Sequence, residues 1–139
     1  ACPWVRWTTG EHEYTRYGFR NLIVNRALDI VQPDVTKVGG ISEQRRIAWM
    51  AFDCGVKYVG HGWNTALGLA ADLQLAAAFP ETDLVEFIGG SAYVDDLLDA
   101  PFVLDALGRL AIPDRPGLGV ALDPARVARY TPDVLPLRP

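Results

Sequence analysis

Residues 27–43 read ALDIVQPDVTKVGGISE, and this stretch decides the fold class of the chain. Its first six residues form a mostly apolar run with two β-branched residues, Ile30 and Val31, which is typical of a buried strand, and Pro33 ends that strand. The glycine pair at 39–40 predicts a turn, and the residues after it predict a helix that continues to Cys54. A strand joined to a helix by a short loop is one β/α unit of a parallel sheet.

The same order of strand and helix is found on both sides of this stretch. Further strands are predicted at 5–9, 56–59 and 84–88, and further helices at 14–26 and 66–79. Short connections between alternating strands and helices indicate parallel strands joined by crossover helices. Residues 1–90 are therefore predicted to form about four β/α units of an α/β fold. Residues 91–139, which are rich in proline and glycine, are predicted to form a covering segment.

The composition excludes several classes of protein. The chain has 139 residues, of which 50% are hydrophobic and 22% charged, and its net charge is −4, as in one soluble domain with an apolar core. The basic residues form no run, which argues against a nucleic-acid partner. No stretch approaches the ~20 apolar residues that cross a bilayer, and the first residues lack a signal-peptide pattern. Cys2 and Cys54 are predicted to be buried free thiols in a reducing, cytoplasmic setting.

An ionisable residue stands at the end of each predicted strand. Glu11 follows the first strand, Asp34 the second and His61 the third, and Glu86 lies within the fourth. In a parallel β/α barrel, the C-terminal ends of all strands lie on one face, and that face holds the active site. We therefore expect these four side chains to surround one pocket.

The types of these four residues suit the removal of a proton from a carbon next to a carboxylate. Glu11 offers hard oxygen ligands for Mg²⁺, and His61 can act as a base or an acid near neutral pH. Asp34 could hold the imidazole in one tautomer. Glu86 could donate a hydrogen bond to a developing oxyanion if its pocket raises its pKa.

Each of these residues also has a purely structural interpretation. Glu11 could belong to a solvated capping cluster with its neighbours. Asp34 could be an ordinary turn residue after proline, and His61 could be a surface histidine between two glycines. Glu86 fits a structural role less well, because an unpaired carboxylate is costly within an apolar run. The regular placement of all four residues favours a shared site.

Four short motifs stand at the predicted strand ends: TGE at 9–11, QPDVTKVGGI at 32–41, GHG at 60–62 and LVE at 84–86. Together with IPDRPGLGV at 112–120, they resemble the mandelate racemase subgroup of the enolase superfamily over nearly the whole chain. The resemblance implies the C-terminal portion of a TIM-type (β/α)₇β barrel. It also implies that residues 91–139 pack on a capping domain.

The resemblance implies a role for each candidate residue. Glu11 would be the third carboxylate ligand of Mg²⁺, and Asp34 and His61 would form a catalytic pair. Glu86 would hydrogen-bond to the enediolate made from the substrate. His12 would be a second acid/base residue or a substrate contact, and Trp63 and Asn64 would border the substrate.

The implied function is that of a magnesium-dependent acid-sugar dehydratase, a lyase that acts on a small-molecule carboxylate. A racemase or epimerase with the same His–Asp pair is an alternative, and so is a non-catalytic half-barrel. In the family, two further metal ligands and a lysine lie on strands that have no counterpart in this chain. The chain is therefore expected to be a C-terminal fragment with little turnover alone, and to pair with the missing barrel half or with copies of itself.

Overall fold

The computed structural model describes residues 3–130, and its centre is a small parallel sheet. The strands are β1 (Thr8–Thr9), β2 (Ile30–Val31) and β3 (Lys57–Tyr58), in the sheet order β1-β2-β3. Thr9 pairs with Val31, and Val31 pairs with Tyr58. Strands that are consecutive in sequence are thus neighbours in the sheet, which confirms the predicted parallel β/α order for the first three strands.

Helices connect and cover the strands. They are α1 (Thr15–Val24), α2 (Ile41–Asp53), α3 (Ala66–Ala78), α4 (Ala92–Asp95) and α5 (Pro124–Arg129). α2 begins directly after Gly40, whose φ of 86° is open to glycine. It ends before Gly55, which adopts the left-handed conformation common after helices. The Thr65 hydroxyl caps α3, and the Asp123 carboxylate caps α5, whose first residue is a proline.

The main core lies between the sheet and the first three helices. It is built from buried side chains of the strands, the helices and the loops between them, among them Phe19, Ile23, Val31, Ile47, Tyr58 and Phe79. Cys54 is a partly buried free thiol that packs against this core. The other predicted thiol, Cys2, lies outside the described residues.

The predicted fourth strand does not form in the part of the chain that the structure describes. Residues 84–88 run without a strand ladder. The Gly62 N–H donates to the side chain of Glu86 and not to a strand carbonyl. A Cβ on Gly62 would overlap the Glu86 carbonyl, so the two backbones approach closely only because residue 62 is glycine. The described sheet therefore has three strands, although Glu86 still contacts the loop that follows β3.

A second apolar cluster attaches the later residues to α3. Leu69, Leu73 and Val94 are buried together, and Phe87, Phe102 and Leu110 pack against them. An antiparallel bridge joins Leu104 to Leu110 across a short turn. The division of the chain at residue 90 stays a prediction, and residues 131–139 lie outside the described part.

Between residues 3 and 130, no helix is long and apolar enough to span a bilayer. The cytoplasmic location stays a prediction.

Candidate active site

Asp34 and His61 form a direct hydrogen-bonded pair. They follow the neighbouring strands β2 and β3, so the pairing of these strands brings the two loops together. His61 Nδ1 lies 3.0 Å from Asp34 Oδ2. The His61 backbone N–H donates to the Pro33 carbonyl at 3.1 Å. The side chain and the backbone of His61 are therefore both tied to the end of β2.

Asp34 is fully buried, and both of its oxygens have partners. The backbone N–H and the hydroxyl of Thr36 donate to Oδ1 at 2.8 and 2.6 Å, and Lys37 Nζ lies 3.7 Å from Oδ2. Burial acts to raise the pKa of Asp34, but the hydrogen bonds from Thr36 and His61 and the charge of Lys37 hold it below its usual value. Asp34 is therefore ionised at neutral pH.

The ionised Asp34 determines the tautomer of His61. A carboxylate can only accept hydrogen bonds, so His61 Nδ1 carries the proton that lies between them. Nε2 is then the atom that can accept a proton from a substrate. The His61 side chain is 13% exposed, so its surroundings are mostly protein.

Glu86 belongs to a second hydrogen-bond network, which reaches the loop of His61 at Gly62. Its Oε2 accepts from the Gly62 N–H at 2.8 Å and from Gln32 Nε2 at 3.3 Å. Gln32 Oε1 accepts in turn from the Thr8 hydroxyl at 2.6 Å. A continuous set of hydrogen bonds thus links the ends of β1 and β2 to the segment that carries Glu86.

Glu11 lies just after β1 and is partly exposed. Its Oε2 accepts from the Gly10 N–H at 3.2 Å. Hydrogen bonds from the backbone N–H groups of Glu11 and Gly10 outweigh the effect of burial and lower the pKa of Glu11, and the nearby His61 acts in the same direction. Glu11 is therefore an ionised carboxylate on the same side of the sheet as the histidine.

The three predicted substrate contacts lie in different environments. His12 is 85% exposed, with Nε2 3.9 Å from Glu11 Oε1, and Trp63 is 70% exposed. Asn64 points into the protein, since its Nδ2 donates to the His61 carbonyl at 3.1 Å and its Oδ1 is buried. His12 and Trp63 are open to a ligand, whereas Asn64 holds the loop that carries His61.

Lys37 lies between two of the predicted site residues, although the sequence alone did not point to it. Its Nζ donates to the Glu11 carbonyl at 3.1 Å and approaches Asp34 Oδ2. Its position three residues after Asp34, within the QPDVTKVGGI motif, is the signal that could have identified it. Gln32, at the start of the same motif, is a second residue that the sequence did not single out, and it contacts Glu86.

The described residues fit Mg²⁺ only in part. Among residues 3–130, no group of three or more His, Cys, Asp or Glu side chains could hold a metal ion. Glu11 offers one carboxylate of the kind that Mg²⁺ prefers, whereas the metal needs near-octahedral oxygen coordination. The remaining ligands would have to come from outside the described residues.

Comparison with known families identifies the fold. Residues 4–126 match the family model described as enolase C-terminal domain-like. The chain belongs to this family. The resemblance to the enolase superfamily and the α/β fold class predicted from the sequence are both confirmed.

Relatives of this enolase-type chain include two sugar-acid dehydratases. The chain is 34% identical over 115 residues to a D-xylonate dehydratase of Haloferax volcanii, covering 82% of this chain and 28% of that protein. It is 36% identical over 123 residues to an L-rhamnonate dehydratase of Saccharopolyspora erythraea, covering 84% and 30%. The chain thus spans less than a third of the length of these relatives.

A crystal structure of a mandelate racemase/muconate lactonizing enzyme from Sulfitobacter sp. has the same fold. The match has a TM-score of 0.81 at 30% identity, and it covers 91% of this chain and 31% of that one. The enolase-type chain therefore corresponds to a part of this solved enzyme.

Proposed function

We propose that the chain is the C-terminal part of a magnesium-dependent acid-sugar dehydratase. The observation that carries the proposal is the 3.0 Å contact between His61 Nδ1 and the buried, ionised Asp34. A histidine held in this way presents a defined tautomer to a substrate, which is the arrangement that general acid–base catalysis needs. The two relatives named as sugar-acid dehydratases support the choice of substrate class.

In the proposed reaction, His61 Nε2 removes the proton from the carbon next to the substrate carboxylate. The electron pair of that C–H bond forms the enediolate. The β-hydroxyl then leaves as water, for which it needs a proton, and the protonated His61 donates it. The resulting enol becomes a 2-keto acid. Asp34 keeps its negative charge throughout and stabilises the imidazolium while it exists.

Glu86 has a contact role in the proposal. Two N–H donors already occupy its Oε2, so we assign Oε1 to the substrate. That oxygen would hydrogen-bond to the developing enediolate if the carboxyl group carries a proton when substrate is bound. Of the remaining candidates, the exposed His12 and Trp63 would border the sugar.

Glu11 would contribute one ligand to Mg²⁺, together with two from outside this chain. When bound, the metal stabilises negative charge on the substrate carboxylate. β1 pairs with β2 alone in the described sheet, so its other edge presents backbone groups that need a partner strand. We propose that the missing barrel strands, or another copy of the chain, pair with this edge.

A racemase or epimerase is the second candidate, since the same His–Asp pair can exchange the proton without loss of water. The similarity to the Sulfitobacter enzyme, whose name includes mandelate racemase, favours keeping this candidate. The two reactions differ in whether the substrate carries a leaving group at the β-carbon.

A panel of sugar acids, including D-xylonate and L-rhamnonate, tests the proposal in a complete protein that carries this chain. The assay follows 2-keto acid formation and deuterium exchange in the presence of Mg²⁺. A keto-acid product supports the dehydratase. Exchange without product would assign a racemase or epimerase, and neither signal with any sugar acid would contradict both.

The 139-residue chain alone is the matched control for this experiment. We expect weak Mg²⁺ binding and little or no turnover from it, because Glu11 cannot complete the coordination shell. Rapid dehydration by the chain alone would contradict the need for ligands from elsewhere.

A further inference from the structure

A buried polar pair lies behind Asp34 and His61, and the proposed reaction does not use it. Gln44 on α2 is 0% exposed and Asp72 on α3 is 1% exposed. Gln44 Nε2 donates to Asp72 Oδ1 at 2.8 Å. Apart from these two and Asp34, the buried core of the described residues is apolar. A buried carboxyl group in such a core is costly, so its presence calls for a physical explanation.

The same amide nitrogen of Gln44 reaches the active-site backbone. Gln44 Nε2 also donates to the Pro33 carbonyl at 2.9 Å. That carbonyl belongs to the residue directly before Asp34, and it also accepts the His61 N–H. One carbonyl oxygen therefore joins Gln44 to both members of the catalytic pair.

Asp72 determines the orientation of the Gln44 amide. Both acceptors, Asp72 Oδ1 and the Pro33 carbonyl, lie at the nitrogen end of the amide. While Asp72 is ionised, the flipped amide would place Oε1 against two oxygens that cannot donate, so the observed orientation is strongly preferred. Without that acceptor, Gln44 keeps one contact of two, and its side chain gains freedom to move.

We propose that Asp72 is a positioning residue for the Asp34–His61 pair, acting through the amide of Gln44 and the carbonyl of Pro33. The inference rests on the proposed catalytic role of that pair. Asp72 touches neither residue through a hydrogen bond of its own, so its effect is on their geometry.

Two further observations agree with a specific role for Asp72. Burial raises the pKa of Asp72 to about 7, and the negative charges of Asp34 and Glu86 act in the same direction. Gly60, directly before His61, also leaves room for Asp72, because a Cβ on Gly60 would lie 2.8 Å from Oδ1 and 3.3 Å from the Tyr58 hydroxyl. The residues around His61 are thus shaped to admit the Asp72 side chain.

Substitutions of Asp72 separate positioning from general stability. Asp72→Leu keeps a side chain branched at Cγ, although a larger one, and removes the acceptor. Asp72→Asn keeps an acceptor oxygen for Gln44 and is the conservative rescue. Leu75→Ala, at another buried position of α3, is the matched control for a weakened helix outside this path.

The readout is the exchange of the hydrogen-bonded His61 Nδ1 proton with solvent, measured by NMR on the full 139-residue chain. The chain has two histidines, so assignment needs only one further variant, His12→Gln. We expect exchange about tenfold faster in Asp72→Leu, because the support of a buried hydrogen bond is lost. Asp72→Asn and Leu75→Ala should exchange close to the rate of the unchanged chain.

Unchanged exchange in Asp72→Leu would overturn the proposal, and so would equally fast exchange in Leu75→Ala. If Asp72→Leu does not fold, Gln44→Met removes the same link from its other side and is judged by the same two outcomes. The measurement does not depend on turnover. A complete protein without dehydratase activity would therefore overturn the proposed function and leave this comparison valid.

Discussion

Lys37 Nζ lies 3.7 Å from Asp34 Oδ2 and donates to the carbonyl of Glu11 at 3.1 Å. Asp34 is buried, whereas Lys37 is partly exposed at the mouth of the same loop. The cation therefore offsets part of the cost of burying the carboxylate, and it also ties the end of β1 to the end of β2.

We expect Lys37→Met to raise the pKa of Asp34, because the nearest positive charge is removed while burial is unchanged. Turnover of the complete protein should fall roughly tenfold, because the contact that ties the Glu11 backbone to the Asp34 loop is lost. Carbon-13 NMR of the Asp34 carboxyl group measures the first effect. Lys57→Met is the control, since Lys57 pairs with Asp83 outside the site; an equal loss of turnover there would count against a local effect.

Substitution of either member of the pair should remove most of the activity. Asp34→Asn favours the wrong imidazole tautomer, and His61→Asn removes the proton-accepting nitrogen, so we expect turnover to fall by about 10³-fold or more. Steady-state kinetics on each sugar acid that is turned over measures the loss. Circular dichroism checks that both variants fold.

The control for these two variants is Asp83→Asn, which changes an exposed carboxylate with the same loss of charge. Near-full activity in either Asp34→Asn or His61→Asn would show that the pair is not catalytic.

Gly62→Ala should displace Glu86. The new methyl group would overlap the Glu86 carbonyl, which is backbone and cannot rotate away. Overpacking of this kind costs about 1–3 kcal/mol, and it should break the hydrogen bond from the residue 62 N–H to Glu86 Oε2. Thermal unfolding and kcat measure the two effects.

Gly89→Ala is the matched control, because its methyl group would meet Phe87 at an ordinary 3.5 Å. We expect a lower unfolding temperature and a lower kcat for Gly62→Ala, and no such change for Gly89→Ala. Similar values for both alanine variants would mean that the close approach at Gly62 is unimportant.

The stability of the chain should fall as the pH rises from about 4 to about 7, because of Asp72. Its pKa is about 7 in the folded chain, against a usual value of 3.8. Between these values the folded chain binds the extra proton, so the free energy of unfolding decreases as the pH rises, by at most about 4 kcal/mol. Urea unfolding at several pH values measures the slope, and Asp72→Asn should flatten it.

The contribution of Asp34 to stability depends on pH in the opposite direction and over a separate range. Its pKa in the folded chain lies below 3.8, so its contribution to stability is complete above about pH 4 and is lost as the pH falls further. A stability that rises steadily from pH 4 to pH 7 in the unchanged chain would contradict the assignment for Asp72.

The helices and the parallel order of the strands could be predicted because their signals are local. Apolar periodicity, the glycines around α2 and the proline of α5 each indicate a helix or its boundary from only a few neighbouring residues. The segment 84–88 has the same apolar composition as a strand, but whether it pairs depends on a neighbour that local composition does not specify. Its contact with Gly62 is a tertiary feature.

The candidate site was predictable only in part for a similar reason. The strand ends bring Asp34 and His61 together, and that follows from topology. The inward orientation of the Asn64 side chain does not follow from topology. It depends on the space left by Gly68, where a Cβ would overlap the Asn64 amide. Asp72 was visible as a lone acid in an apolar helix, yet its partner Gln44 lies 28 residues earlier, a distance that no local pattern spans.

The Pro33 carbonyl accepts hydrogen bonds from both Gln44 and the His61 N–H, and it therefore connects α2 and α3 to the Asp34–His61 pair. Under the proposed role of Asp72, displacements of α2 or α3 reach that oxygen through Gln44 and change how His61 is held. Changes in catalytic rate could therefore arise from the helical layer while the pocket lining stays the same. Screens for variants with altered turnover should include the buried positions of these two helices as well as the residues proposed to border the substrate.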